Sequence, residues 1–168
     1  MPLLEAFRWL EANGPGGAYL RESTYGFSIL LTVHVVFMCL FLGLIIMMDL
    51  RLVGLGNRGT PPAEIQKRLF PWQILGFVVV VISGVLLFYS KPLYYYGKAY
   101  FWTKMVLMAL AGVNAGVVHY VTHRGGGWDS GAAKAAGAAS LALWASVLVT
   151  GRLIAYEWWT TDYFLEDF

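Results

Sequence analysis

Charge is scarce in this sequence: Asp, Glu, Lys and Arg make up 13% of 168 residues, and the formal net charge is +2. A soluble domain carries about 25% charged residues, so there are too few here to cover a water-facing surface. The missing basic excess also disfavours a nucleic-acid binder, which needs a clustered positive patch. Cysteine is almost absent. Cys39 stands alone, so it closes no intrachain disulfide and offers no thiolate set for zinc or an iron–sulfur cluster. The chain also opens without a basic segment running into a short apolar core and a small-residue cleavage site, so no signal peptide is expected.

What is present is apolar mass, 58% hydrophobic and 16% aromatic, which disordered chains lack. A helix needs about 20 mainly apolar residues to cross a hydrocarbon core about 30 Å thick. Four stretches qualify, at about 25–48, 70–89, 101–121 and 132–156. Runs such as FVVVVISGVLLF do not alternate as strands of a membrane barrel would. The expected fold is therefore all-α, an integral membrane four-helix bundle formed by residues 1–168 as one domain. Ahead of it, Leu3, Leu4, Phe7 and Leu10 recur at helical spacing, which predicts a short amphipathic interfacial helix at about 2–13.

Four spans put both termini on one side of the bilayer and the first and third connections on the other. Lys and Arg divide evenly between the sides, but Lys104 and Arg152 lie inside spans and Arg8 lies far from one. The residues that count then favour a cytoplasmic loop side, with both termini outside the inner membrane. Aromatic residues gather on the terminal side, at Tyr94, Tyr95, Tyr96, Tyr100, Trp102, Trp158 and Trp159.

Small residues mark close helix packing in lipid. Gly112 and Gly116 form a GxxxG pair, and span four opens on an Ala/Gly-rich run from Gly131 to Ala139. Tight packing, possible homo-oligomerisation and a groove for a flat ring all draw on such a surface. The polar residues inside the spans are the more informative ones, because each is costly there unless it is paired or faces a cavity. They are His34, Lys104, Asn114, His119 and Arg152. Asp49 and Arg51, at the end of span one, are expected to pair with charged neighbours in the first loop.

His34 shares a helical stripe with Phe27, Leu31, Met38, Phe41 and Ile45 that is expected to face the interior. Imidazole ligates haem iron or copper, and it also serves as a neutral hydrogen-bonding group. His119 and His123 have the i, i+4 spacing of two ligands on one helix, which is equally the spacing of an interfacial pair. At ~1.5 Å per residue, His34 lies roughly 12 to 15 Å below the terminal face and His119 roughly 25 Å below it, so one haem between them is disfavoured. Met108 instead matches the depth of His34, and His/Met is a known axial pair. A pair of His34 residues across a homodimer axis is the other possibility. Lys104 and Arg152 lie where haem propionates would reach, although both could also snorkel to headgroups. The expected cofactor-binding set is therefore His34, Met108, Lys104, Arg152, Gly112 and His119, with His34, His119 and Met108 as metal ligands.

His34, Gly43 and the Asp49-Leu-Arg-Leu52 exit resemble small bacterial four-helix membrane families of uncharacterised function. The Tyr100-Phe-Trp-Thr-Lys104 opening of span three, followed by Asn114, is similar to the copper-resistance-D-type integral membrane domain. That resemblance implies a polytopic domain handling copper or haem, with His34 at the position of the family's membrane histidine. The chain lacks the further histidines of a two-haem cytochrome.

Hydrolytic readings find no GxSxG, HExxH or P-loop and no paired carboxylates inside the spans. Three expectations remain. The first is a membrane b-type haem protein passing electrons near the outer face. The second is a copper-handling protein using His34, Met38, Met105 and Met108, and the third is a cofactor-free accessory subunit that docks on a larger membrane complex.

Overall fold

A computed structural model describes residues 2–14, 16–23, 25–56, 59–124 and 127–156. Arg58, Trp158, Trp159 and the acidic residues from Glu157 onward lie outside the described residues. Among the described residues seven α-helices follow one another: α1 Pro2–Asn13, α2 Gly17–Glu22, α3 Gly26–Val53, α4 Pro62–Ser90, α5 Pro92–Tyr96, α6 Ala99–Arg124 and α7 Gly131–Leu153, the last closing in a 3-10 turn, Ile154–Tyr156. No strand occurs among the described residues. Four of the helices, α3, α4, α6 and α7, are long and apolar enough to cross a membrane, and they pack into an all-α integral membrane bundle.

The expected spans 70–89 and 101–121 fall inside α4 and α6, whereas 25–48 begins one residue before α3 and 132–156 runs through the 3-10 turn after α7, so the differences lie at the ends. Helix α3 runs on past Met48 to Val53, where Gly54 takes a left-handed conformation at φ 89° and the Leu55 N–H closes on the Leu50 carbonyl at 2.9 Å. Glycine adopts that conformation without strain, which makes it the usual stop signal. Helix α4 starts at Pro62, a residue whose fixed φ suits the first turn, and carries Pro71 inside it. Helix α7 starts after Ser130, whose hydroxyl accepts from the Ala133 N–H at 3.1 Å.

Helix α3 packs against both α4 and α7, and α6 packs against α7. The register of α3 and α4 is antiparallel. Phe41 faces Gly76, where a Cβ would come within 3.1 Å of the Phe41 Cβ, and the Gln73 side-chain amide donates to the Leu44 carbonyl at 3.4 Å. At the loop end Met48, Leu52, Ile65 and Ala133 form a buried cluster that also gathers Leu69, Val118, Val121 and Trp128, so all four helices meet there. The buried face of α3 carries Phe41, Leu42, Met48, Asp49 and Leu52, whereas Leu31 is 42% exposed and leaves the expected interior stripe.

The amphipathic helix forms as expected, at Pro2–Asn13, and caps the terminal end together with α2 and α5. Phe7 packs edge-on against Phe88 at 5.5 Å and against Tyr96 at 5.0 Å, while Phe88 stacks on Phe101 at 5.8 Å. Arg21 donates to the Ser90 carbonyl at 3.0 Å and to the Glu11 carbonyl at 2.8 Å. Those carbonyls end α4 and α1, where backbone acceptors lack helical partners and a cation suits the dipole.

Candidate functional site

His34 sits on α3, half-buried, facing α4. Its Nδ1 lies 2.8 Å from the Ser83 hydroxyl oxygen, and that oxygen lies 2.6 Å from the Val79 carbonyl. Two oxygens at that separation need a proton between them, and the Ser83 hydroxyl has only one. Ser83 therefore donates to Val79 and accepts from His34, which places the ring proton on Nδ1 and leaves Nε2 with its lone pair. The Val80 carbonyl, which can only accept, also faces the ring. Gly84 completes the seat: a Cβ there would lie 3.2 Å from the His34 Cε1, so glycine lets the ring rest against α4.

Lys104 of α6 is half-buried and crosses a second bare patch, since a Cβ on Gly151 of α7 would lie 3.5 Å from its Nζ. The ammonium lies within electrostatic reach of the His34 ring. Arg152 is next to Gly151 in sequence yet turns outward, donating to the Tyr156 hydroxyl at 2.8 Å with its guanidinium 5.0 Å from the ring centre. The structure thus brings His34 and Lys104 to one level and keeps Arg152 on the outside of the bundle.

The remaining expected residues are spread more widely. Met108 is half-buried on α6, one turn from Lys104. His119 is exposed near the other end of α6, between Val118 and Val121, which touch the Met48 and Leu52 cluster. From His34 to Met48 along α3 is about 21 Å, so His34 and His119 are not brought together. Gly112 and Gly116 are exposed, with no atom within 4 Å of a Cβ built on either. The GxxxG face looks away from the bundle. Among the described residues no three His, Cys, Asp or Glu side chains gather as a metal site.

A second polar level was not anticipated. Asp49 is 5% exposed, in the seam between α3 and α7, where the Ser140 hydroxyl donates to its carboxyl. Its Oδ2 is buried with no hydrogen-bond partner. The expected pairing in the first loop is corrected here: Arg51 donates to the Thr60 carbonyl at 3.2 Å and reaches Asp129 of the third connection at 3.7 Å. Residues two apart on a helix do not face each other, so once α3 continues past Met48, Asp49 and Arg51 must diverge. The sequence did hold a signal, because Asp49 repeats seven residues after buried Leu42. Nearby, Asn114 of α6 donates to the Ala136 carbonyl of α7 at 3.0 Å.

Comparison with known proteins returned no match. No family model, no curated protein and no solved structure is similar to this chain. Function is therefore read from the geometry of the two polar levels.

Proposed function

We propose that the chain is a membrane-embedded electron-transfer subunit that holds a b-type haem through His34. The observation that carries this reading is the His34–Ser83–Val79 chain, at 2.8 and 2.6 Å. Orienting a histidine through its second nitrogen is how proteins prepare a metal ligand. Lys104, within electrostatic reach of the ring, supplies the cation that a propionate needs. His34 would hold the iron through Nε2, and Lys104 would meet a propionate. Met108, or His34 of a second copy, would supply the other ligand. Bound there, a haem supplies one-electron ferric–ferrous exchange. The loop-side Lys and Arg residues favour the inner membrane with the His34 level near the outer face.

Cu(I) is the alternative occupant of the same nitrogen, favoured by the half-buried thioethers of Met38 and Met108. The exposed Gly112 and Gly116 favour a further reading, an accessory subunit whose α6 face packs on a partner helix. A reduced-minus-oxidised spectrum of the purified chain separates the three. A sharp Soret and alpha band is expected. A colourless preparation containing stoichiometric copper would shift the assignment to Cu(I), and one free of both metal and haem would leave the accessory role.

A further inference from the structure

The Asp49 carboxyl lies at the loop end of the bundle, independent of the His34 level and of any cofactor there. It is 5% exposed, and Oδ2 has no hydrogen-bond partner. An ionised carboxylate in such a place needs a cation, and no Lys or Arg whose side chain is described lies within ion-pair distance of it. Helix α7 presents Ala136, Gly137 and Ser140, while its Lys134 is exposed one turn nearer the loop. Helix α4 presents Ile65 and Leu69, with Glu64, Lys67 and Arg68 exposed. Helix α6 contributes Val118 and Val121 to the cluster, with His119 exposed, and the side chains of His123 and Arg124 at its end lie outside the described ones. On α3 itself, Arg51 is directed to Thr60 and Asp129.

A metal cation fits this place poorly. Calcium or magnesium takes six or more oxygens, and Asp49 and Ser140 together supply too few. A proton needs only one. Water comes nearest on one side: a cleft of about 440 Å³, lined by Arg51, Leu52, Val53, Gly54, Asp129 and Lys134, opens at the loop end one helical turn along α3 from Asp49, which does not itself line it. Toward the terminal end the seam is closed by Phe41, packed edge-on to Trp144 at 5.3 Å and against Phe77 at 5.8 Å.

We propose that Asp49 is a proton-binding site, its carboxyl held neutral in the α3–α7 seam beside Ser140 and exchanging its proton with loop-side water through the cleft at Arg51 and Lys134. The step is a simple association of a proton with carboxylate oxygen, and no other bond changes.

Infrared spectroscopy of the purified chain tests this, in a detergent without ester carbonyls and at neutral pH. The expected result is a protonated carboxylic C=O band that shifts when aspartate is labelled with carboxyl-13C and again on transfer to D2O. The band should vanish in Asp49→Asn and persist in Asp129→Asn. Should Asp49→Asn not fold, a labelled chain with Asp129, Asp162 and Asp167 all changed to Asn, in which Asp49 is the one aspartate left, decides by the presence of the shifted band. An aspartate signal found only in the ionised carboxylate region, or a band that survives in Asp49→Asn, would overturn the proposal. A band unmoved by D2O would overturn the access through the cleft.

Discussion

A single hydroxyl decides what His34 offers. Because Ser83 gives its one proton to Val79 at 2.6 Å, the histidine must donate through Nδ1, and Nε2 is left to face outward from that bond. Ser83→Ala removes one of the two acceptors facing the ring, leaving the Val80 carbonyl, and should cost about 0.5–1.5 kcal/mol, the usual net worth of one hydrogen bond. Cofactor affinity should fall by roughly 10-fold or more, as when other orienting partners of metal ligands are removed. A haem titration alongside a thermal melt in detergent checks both, and unchanged affinity with a lowered melting point would reduce Ser83 to a packing role. His34 was legible in the sequence because it is an isolated polar residue in an apolar run. Ser83 was not, since its partnership depends on the antiparallel register of α3 and α4, which no local pattern encodes. Asp49 was misassigned for a related reason: whether the last turns of a span are buried depends on the neighbour, here α7, that covers them.

Among the helices, glycine shows how far spacing alone carries. Gly112 and Gly116 have the packing motif, yet the approaches that need glycine occur elsewhere, at Gly76 against Phe41 and at Gly137 against Leu52 and the Asp49 carbonyl. A Cβ on Gly137 would come within 2.9 Å of the Leu52 Cβ and 3.3 Å of the Asp49 carbonyl oxygen. Gly137→Ala should therefore force α3 and α7 apart and destabilise the bundle by about 1–3 kcal/mol, the usual cost of overpacking. Gly112→Ala meets open space and should gain about 0.5–1 kcal/mol from helix propensity. Melting points of the two variants, measured together, should move in opposite directions. The motif locates a shared face on α6, but which helix that face meets is a property of the assembled bundle. Helix existence was far more legible, because hydrocarbon thickness acts on run length and composition alone. The short helices α2 and α5 carry no such signal, and they form under the tertiary contacts of the terminal cap.

Taken whole, the molecule has two polar levels separated by an aromatic layer of Phe41, Phe77 and Trp144. His34 and Lys104 belong to the terminal level and Asp49 with Ser140 to the loop level. No continuous polar path through the described residues is needed for either. The terminal level is covered by α1, α2 and α5, and Arg21 ties that cap to the ends of α1 and α4. Arg21→Ala should loosen the cap at a cost of about 1 kcal/mol per hydrogen bond lost. Proteolysis of α1 should become faster while the four spans stay helical by circular dichroism. The low charge content foretold a membrane bundle. It did not foretell that the charged groups within it would sort into inward-facing Lys104 and Asp49 and outward-facing Arg152, because sorting depends on the glycines and tyrosine beside them.

The most direct test of the central claim is haem bound per chain, measured for the wild type, His34→Ala and His119→Ala purified in parallel. A site at the His34 level predicts that His34→Ala loses the bound haem while His119→Ala keeps the full wild-type stoichiometry. Equal loss in both variants, or haem retained by a folded His34→Ala chain, would contradict it.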